Sequence, residues 1–476
     1  MNRIKLALWL LLLVVTAAWL AADTLLPQPL TYFAFRTVFV QYSGVIAMAM
    51  MSAAMILATR PLWLEGHLDG LDKMYRLHKW LGIGALIVST LPWWFAQGTK
   101  WMVGWGWLSR PERRQGGSEQ VLPVIEQWFR SQRGLAESMG EWAFYAAAAM
   151  IVLALVKAVP YRWFRKTHNW LAIAYLVLAW HSLILIKYEY WIQPIAWLMA
   201  VLVVAGSASA VLVLLGRVGR RRRHPGQIEE LTHYPGINVV EARIAMDARW
   251  PGHAPGQFAF VTSKPGEGAH PYTIASAWSA DNPEITFVVK ALGDWTRQLK
   301  DWLKVGMQVQ VEGPYGRFDF SDPTPQQIWV GAGIGVTPFI ARMKHLAQQG
   351  GEHNVDFFHI TTEVDQAAID KLSADAAAAG IRLHIRVSPR DGRLTPELIR
   401  STVPGWQQAS IWVCGPTPFG QAIRADFVQQ GLPAQRGASG VVRNALRRAA
   451  TTRPQCMAGS TGMARCSLSV GIAQAY

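Results

Sequence analysis

The chain has few cysteines and few charged residues for its length. Only three of its 476 residues are cysteine (Cys414, Cys456 and Cys466), so the sequence provides no disulfide framework. No CxxC spacing occurs, which argues against a structural zinc site. Charged residues make up only 16% of the chain, whereas hydrophobic residues reach 51%. This imbalance is unusual for a wholly soluble protein and predicts a chain that lies partly in a lipid bilayer.

Acidic residues are scarcer than basic ones. The chain has 31 Asp and Glu against 46 Lys and Arg, a formal net charge of +15. The densest basic run, at 217–223, directly follows an apolar segment and is not interleaved with aromatic residues. This placement favours basic residues that anchor helices at the cytoplasmic membrane surface, and it argues against nucleic-acid binding.

Six apolar segments are long enough to cross a bilayer as helices. The first follows Arg3 and Lys5, but no good cleavage site comes after it, so we interpret it as an uncleaved helix and not as a signal peptide. The distribution of Lys and Arg between the loops places both termini in the cytoplasm, although the loop 98–138 carries basic residues on the opposite side. We therefore expect a multi-pass protein of a bacterial-type plasma (inner) membrane. The predicted spans are 4–22, 36–58, 77–97, 139–159, 168–187 and 191–215.

The composition changes after Arg223. Short alternating segments separated by Pro and Gly predict an antiparallel β-barrel over 219–323. Strands and helices then alternate, which predicts a parallel α/β nucleotide-binding domain over 324–434. Residues 435–476 show no strong period, so we expect an atypical, disordered tail with no assigned element. With a six-helix transmembrane bundle over 1–218, the fold class is multi-domain.

Three histidines lie within or at the edge of predicted spans: His78, His168 and His181. An imidazole is costly in hydrocarbon, so intramembrane histidines are functional candidates. Two imidazoles on facing helices would suit a haem, whereas histidines satisfied by water or backbone at helix ends are the alternative. Because His168 and His181 are 13 residues apart, they lie at depths about 20 Å apart on one helix. The ligand opposite His181 would fall about 14 residues after His78, and that position is Pro92, which has no ligating atom.

The second half of the chain contains candidate flavin and nucleotide motifs. Residues 270–276 combine an aromatic ring, hydroxyls and backbone donors on one strand, as a flavin requires, although an ordinary barrel strand can have the same composition. The glycine-rich segment 331–335 follows a predicted strand and precedes a helix, where backbone N–H groups can approach a pyrophosphate. Its spacing departs from GxGxxG, because Thr337 and Pro338 stand where the last glycine would be.

Two further strand ends are candidate nucleotide contacts. Residues 414–416 end a predicted strand, and ligands bind at such ends in open α/β sheets. The alternative is a buried cysteine before a turn. Ser388 and Arg390 end another strand, where Arg390 could bind a ribose phosphate or lie in a solvated turn.

Together these motifs resemble the ferric reductase and NADPH oxidase family over roughly 36–430. The resemblance implies a haem-binding bundle, an FAD-binding barrel of the ferredoxin reductase type, and an NADP or NAD domain. It implies haem b (one or two) bound by His78, His168 and His181, and hydride transfer with Cys414 as the catalytic candidate. The implied cofactor-binding residues are His270, Pro271, Tyr272, Thr273, Ile274, Ser276, Lys290 and Thr296 for FAD, and Gly331, Gly333, Gly335, Thr337, Pro338, Ser388, Arg390, Cys414, Gly415 and Pro416 for NADPH (or NADH).

The activity that this resemblance implies is an NAD(P)H-dependent FAD and haem oxidoreductase. Electrons would pass from NADPH to FAD as hydride and then singly through haem to oxygen, giving superoxide, or to ferric iron. Pro92 departs from the family pattern and predicts impaired transfer across the membrane. Two alternatives stay open: a membrane-anchored flavin reductase of the diaphorase type with a degenerate haem relay, and a non-enzymatic haem-binding subunit.

Overall fold

The structure is a computed structural model that describes residues 2–109, 124–156, 159, 161–318, 320, 322, 324–350, 354–433 and 437–440. The chain forms two compact units, Met1–Val218 and Gly219–Tyr476. The first is helical in its described residues, and the second contains two β-sheets with flanking helices.

The first unit is built from long apolar helices and one short one. Thr31 caps the second helix by accepting a hydrogen bond from the Ala34 amide, and Pro194 occupies the first turn of the last helix. The helices are α1 (Asn2–Leu20), α2 (Tyr32–Ala58), α3 (Leu62–His67), α4 (Leu71–Gly104), α5 (Val124–Leu155), α6 (Tyr161–Leu185) and α7 (Pro194–Leu214).

Helix α2 is the central helix of this unit. Of its apolar window, 61% is buried, against 17–28% for the other candidate spans. Its buried face is rich in small residues such as Ala47, Ala49 and Ser52, which allow α4 and α7 to pack closely against it. The large exposed side chains on α1 and α7, for example Trp9 and Trp197, are consistent with helices that face lipid.

Five helices among the described residues are long and apolar enough to cross a membrane: α1, α2, α5, α6 and α7. Helix α4 has 34 residues and is not among these five. Six membrane spans therefore remain a prediction.

The predicted loop 98–138 is partly helical, which corrects the sequence interpretation. Its first residues belong to α4, and residues 124–138 form the start of α5. That start is polar, so a hydropathy pattern misses it. Pairs one turn apart stabilise it, since Arg130 bonds Glu126 at 2.7 Å and Arg133 bonds Glu137 at 3.2 Å.

The second unit begins with an antiparallel sheet of six strands. Its order is β4-β3-β6-β1-β2-β5, and an isolated bridge between Ile274 and Phe287 joins the regions of its two edge strands. Alternating burial along β2 places every second side chain in the core that the sheet encloses. The strands are β1 (Arg223–Tyr234), β2 (Val239–Met246), β3 (Phe258–Thr262), β4 (His270–Thr273), β5 (Glu284–Lys290) and β6 (Gln308–Tyr315), with the short helix α8 (Leu299–Trp302) between the last two.

The rest of the second unit is a parallel sheet in the order β11-β10-β7-β8-β9. Its central strands are buried on both faces, between two hydrophobic clusters. The strands are β7 (Gln327–Ala332), β8 (Val355–Thr361), β9 (Arg382–Val387), β10 (Ser410–Cys414) and β11 (Gly437–Gly440). The helices are α9 (Thr337–Gln349), α10 (Gln366–Ala378), α11 (Ser388–Asp391), α12 (Pro396–Thr402) and α13 (Thr417–Gln429).

Strand β11 corrects the interpretation of the tail. We expected no element after residue 434, but Gly437–Gly440 pairs in parallel with Ile411–Cys414 of β10. The open edge of β10 offers backbone hydrogen bonds to any extended segment, and small residues without a hydrophobic pattern can use them. The remainder of the predicted tail lies outside the described residues.

Candidate functional site

Two of the three predicted haem ligands come together in the first unit. The rings of His78 on α4 and His168 on α6 have centroids 5.8 Å apart and planes at 67°. With metal–nitrogen bonds of about 2 Å, two imidazoles on opposite sides of one metal have centroids about 6 Å apart. The observed separation therefore fits a shared iron.

The tautomer of His78 also fits a ligand. Its Nδ1 lies 2.8 Å from the carbonyl oxygen of Ala54 on α2. A carbonyl only accepts, so Nδ1 carries the proton and Nε2 keeps its lone pair. Metal-binding histidines are commonly oriented by such a bond from the other ring nitrogen. Phe164, one turn before His168 on α6, stacks on the His168 ring at 5.0 Å.

His181 lies near the other end of α6, and its ring is held in the same way. Its Nδ1 donates to the carbonyl oxygen of Ala136 on α5 at 2.7 Å, which again leaves Nε2 free to ligate. The ring packs directly on Gly140, where a Cβ atom would overlap Nδ1. A residue without a side chain is therefore needed at 140 for this ring position.

Pro92 lies inside α4, which continues through it to Gly104. Its polar neighbours on the helix bond to α5. Trp93 donates from Nε1 to the Tyr145 hydroxyl at 2.9 Å, and Gln97 donates to the Glu141 carboxylate. Tyr145 also donates to Glu141 at 2.6 Å.

The predicted flavin strand carries a stack of three rings. The rings of His270 and Tyr272 on β4 are nearly parallel at 6.4 Å, and Trp295 stacks on His270 at 5.8 Å. The Tyr272 hydroxyl is buried, and burial raises its pKa. By the alternation of side chains along a strand, Thr273 belongs to the opposite side. Pro271 on that side is exposed.

Three other predicted flavin residues serve the protein's own structure. Ile274 is fully buried in the core of the antiparallel sheet. The Ser276 hydroxyl accepts from the Thr286 amide at 3.0 Å. The Thr296 hydroxyl accepts from the amides of Leu292 and Gly293, both at 2.8 Å, and so holds the turn after β5.

The two predicted nucleotide loops meet at the carboxyl ends of β7 and β10. Gly331 and Cys414 are partners in the parallel register of these strands. Gly335 lies so close to Cys414 that a Cβ atom would overlap its carbonyl oxygen, and a Cβ on Gly415 would lie 2.8 Å from that of Ala332. Gly333 has a φ of +55°, which favours glycine. This juxtaposition forms a narrow backbone-lined edge of the kind that dinucleotides occupy.

Thr337 and Pro338 stabilise the helix start that follows the glycine loop. Thr337 is 1% exposed and donates to the Ile334 carbonyl at 2.7 Å. Pro338 lies in the first turn of α9, where its missing N–H has no intrahelical role.

Ser388 and Arg390 begin helix α11 at the carboxyl end of β9. Arg390 is 72% exposed and bonds Asp391 at 2.7 and 3.1 Å. This bond and the Val387 amide lower the pKa of Asp391 to about 2. The guanidinium is thus oriented at the sheet edge while its outer face stays open to solvent.

Lys290 is bonded across the two sheets of the second unit. It forms an ion pair of 2.7 Å with Glu363, which follows β8. Both line a cavity of about 100 Å³, together with Gly333 and His359. Burial lowers the pKa of His359 to about 4, so this ring is neutral at physiological pH.

Sequence reasoning missed several residues at these sites. Trp295 lies between Lys290 and Thr296, two of the residues that the resemblance implies for FAD, and this position was the available signal. His359 is the only histidine of β8, but nothing local separates it from an ordinary core residue. Gly140 and the carbonyls of Ala54 and Ala136 act through contacts between helices, which leave no pattern in the sequence.

Comparisons with known proteins agree with this division of the chain. The ferric reductase like transmembrane component family matches residues 43–179, and an FAD-binding domain family matches residues 227–319. Respiratory burst oxidase homolog protein A of Solanum tuberosum is 24% identical over 320 residues, covering 56% of this chain and 30% of the relative. The chain is thus similar to the ferric reductase and NADPH oxidase family in its transmembrane and FAD-binding parts. This confirms the resemblance found in the sequence.

Other similar proteins match the second unit of the chain. The toluate 1,2-dioxygenase electron transfer component of Pseudomonas putida is 27% identical over 188 residues, covering 37% of this chain and 55% of the relative. The chain thus spans about half the length of that relative. The FAD/NAD binding domain of nitric oxide dioxygenase from Vibrio cholerae is 19% identical, with a TM-score of 0.41, covering 46% of this chain and 98% of that structure.

Together, the membrane-compatible helices and the matched families describe a membrane protein. Its ferric reductase transmembrane domain is joined to an FAD-binding domain in one chain.

Proposed function

We propose that this protein is a membrane oxidoreductase that uses NAD(P)H, FAD and b-type haem to reduce an acceptor such as oxygen or ferric iron. The observation that carries the proposal is the pairing of His78 and His168, with centroids 5.8 Å apart between two helices of the membrane unit. Two neutral imidazoles at this spacing suit one iron porphyrin. A contact between two transmembrane helices does not require imidazoles, which are costly in hydrocarbon.

The residues of the second unit support the dehydrogenase part of the proposal. When bound, FAD would take a hydride from the nucleotide and give up single electrons, and haem would take electrons one at a time. The stacked rings of Tyr272, His270 and Trp295 offer an aromatic face for the flavin. The backbone at Gly331–Gly335 and the neighbouring Cys414 would hold the nicotinamide end and exclude water from it. Arg390 supports NADPH over NADH, because a guanidinium binds a ribose phosphate well.

The basic loops support an orientation with both termini in the cytoplasm of a bacterial-type cell, in its plasma membrane. In that orientation the flavin and nucleotide residues face the cytoplasmic supply of NAD(P)H. His181 would lie toward the opposite side.

The test begins with the full chain purified in detergent. A pyridine haemochromogen assay and a flavin assay give the haem-to-FAD ratio, and NAD(P)H oxidation is followed with a dye, oxygen or a ferric chelate as acceptor. We expect bound FAD, at least one haem per FAD and NAD(P)H oxidation. His168→Ala should remove a low-spin haem signal while dye reduction persists.

A control histidine is available in the same unit. His67 is exposed at the end of α3, and its ring Nδ1 lies 2.6 Å from the carbonyl oxygen of Trp63 in the same helix. His67→Ala should leave the haem spectrum unchanged. Absence of haem from a protein that still binds FAD would reject the haem part of the proposal.

A second candidate function is a membrane-anchored flavin reductase of the diaphorase type. Pro92 favours it, because proline has no ligating atom and stands where a ligand opposite His181 would be expected. This candidate predicts NAD(P)H-dependent dye reduction without haem absorbance, so the same assays decide between the two functions.

A further inference from the structure

We infer that the part of the membrane unit around His181 binds a haem with one protein ligand and one open coordination position, which takes a small neutral diatomic ligand. The inference deepens the proposed function and rests on its haem-binding part. It assigns different roles to the two haem positions. The His78–His168 position is closed by two imidazoles, whereas the His181 position is open on the side of α4.

His181 has the features of a true ligand. Its Nδ1 is engaged by the Ala136 carbonyl at 2.7 Å, which fixes the ring and directs the lone pair of Nε2 away from α5. The missing side chain at Gly140 makes room for the ring. His78 shows the same arrangement, with its Nδ1 on the Ala54 carbonyl at 2.8 Å. In both rings Nδ1 is bonded to a backbone carbonyl, so that Nε2 can ligate a metal. Two such imidazoles indicate two iron positions.

The opposite side of the His181 position lacks a ligand. Counting along α4 from His78, the residue at the matching depth is Pro92, and α4 passes through it without interruption. The polar side chains that follow it are occupied elsewhere. Trp93 bonds Tyr145 at 2.9 Å, and Gln97 bonds Glu141.

Glu141 and Met139, the neighbours of Gly140 on α5, do not supply the second ligand. The Glu141 carboxylate accepts hydrogen bonds from both Gln97 and Tyr145. Met139 is 41% exposed, on the surface of the helix. In the part of the membrane unit that the structure describes, no second imidazole accompanies His181 in the way that His168 accompanies His78.

The chemistry of the two positions should therefore differ. An iron with two imidazole ligands has no free position for an added ligand, whereas an iron with one imidazole binds carbon monoxide in the ferrous state. Axial ligation and access at the distal side decide between ligand binding and simple electron transfer. Carbon monoxide is the probe of choice because it needs no charge partner or proton from the protein.

The experiment records carbon monoxide difference spectra of the anaerobic, dithionite-reduced full chain in detergent, together with haem and FAD content. We expect about two haems per FAD, of which about half respond to carbon monoxide. Pro92→His should abolish the response without lowering haem content, because it supplies the missing imidazole. Pro92→Ala is the matched control, which removes the proline without adding a ligand and should keep the response.

His181→Ala provides a second route if Pro92→His fails to fold. It should remove the carbon monoxide-reactive haem and leave the other haem in place. Two haems without any response in the wild type would overturn the inference, because another ligand would then close the site. One haem without response would also overturn it, since the His181 position would then be empty. FAD content and dye reduction report separately on the proposed dehydrogenase function, so its failure would be distinguishable.

Discussion

Gly140 is the residue on which the His181 ring depends most directly. An added Cβ would overlap Nδ1 of that ring, so Gly140→Ala must displace the imidazole or separate α5 from α6. We expect this substitution to lower the haem content assigned to His181 by most of its value while the His78–His168 haem is retained. The measurement is the haem-to-FAD ratio with the optical spectrum of the reduced protein.

Gly134 is the matched control for this prediction. It lies on the same helix, and a Cβ there would meet no atom within 4 Å. Gly134→Ala should leave haem content unchanged and stabilise α5 by up to about 1 kcal/mol, the difference in helix propensity. Equal haem loss in both variants would mean that helix α5, and not the contact with His181, is what the substitution disturbs.

Arg390 is the single residue on which the choice between NADPH and NADH should depend. Asp391 orients its guanidinium at the end of β9, and the side chain is otherwise exposed. Since a hydrogen bond to a charged group contributes about 1.5–3 kcal/mol, Arg390→Ala should reduce kcat/KM for NADPH by about 10- to 100-fold. The value for NADH should change little. Steady-state kinetics with both nucleotides measure this, and a parallel loss for both would reject a role in phosphate recognition.

At the scale of elements, strands β8 and β9 are joined by a buried carboxylate. Asp356 is 3% exposed and accepts bonds from His384 at 2.9 Å and from Arg382 at 2.7 and 3.0 Å. Burial alone would raise the pKa of Asp356, but the bonds from His384 and Arg382 outweigh it and hold the pKa below its usual value. The folded state therefore binds a proton to this group less readily than the unfolded state does.

This pKa shift predicts how stability depends on pH. A carboxylate with a lowered pKa stabilises the fold above its unfolded pKa, near 3.9, and the contribution is lost as pH falls through the folded value. Asp356→Asn should therefore lower stability at neutral pH. It should also flatten the loss of stability below about pH 4. Flavin release followed by fluorescence at a series of pH values measures this, and an unchanged acid limb would contradict it.

The elements of the second unit were the most predictable from sequence. The strand predicted before the glycine-rich segment 331–335 and the helix predicted after it correspond to β7 and α9, because a short apolar run between polar residues and a glycine-rich turn are local signals. The polar start of α5 and the strand β11 were missed. The former depends on ion pairs one turn apart, and the latter on an open edge of β10 formed by residues more than 20 positions earlier.

The candidate site shows the same division between local and distant causes. His78, His168 and His181 stand out because imidazoles are rare in apolar segments. The tautomers of His78 and His181 were not predictable, since the carbonyls of Ala54 and Ala136 that fix them come from other helices. Predicted contacts such as Thr296 and Thr337 proved to bond backbone groups, because a hydroxyl in a turn suits that purpose as well as it suits a cofactor.

For the whole molecule, the junction between the two units is the segment that sequence composition explains least. From composition, the basic run 217–223 was interpreted as a membrane-surface anchor. Its last two residues instead contact side chains of the antiparallel sheet. Arg223 pairs with the buried Glu312 at 3.0 Å, and Arg222 lies over the Tyr315 ring at 4.8 Å. Glu312 also accepts from the Tyr315 hydroxyl at 2.9 Å.

Gly219 allows this arrangement, because its φ is +70° and a Cβ there would overlap the Glu312 carboxylate. Gly219→Ala should therefore strain the backbone and break the bonds of Glu312. Gly216 has a similar φ of +62° but open space around it, so Gly216→Ala carries only the backbone strain, about 1–2 kcal/mol. The additional cost at 219 should be about 1–3 kcal/mol, the penalty for leaving a buried polar group unsatisfied.

The pair of variants separates backbone strain from the loss of the carboxylate bonds. The midpoint temperature of flavin release should fall by several degrees more in Gly219→Ala than in Gly216→Ala, while haem absorbance at 25 °C reports that the membrane unit is folded in both. Equal midpoints would show that Glu312 tolerates displacement. The ion pair between Arg223 and Glu312 would then contribute no more to stability than an exposed ion pair does.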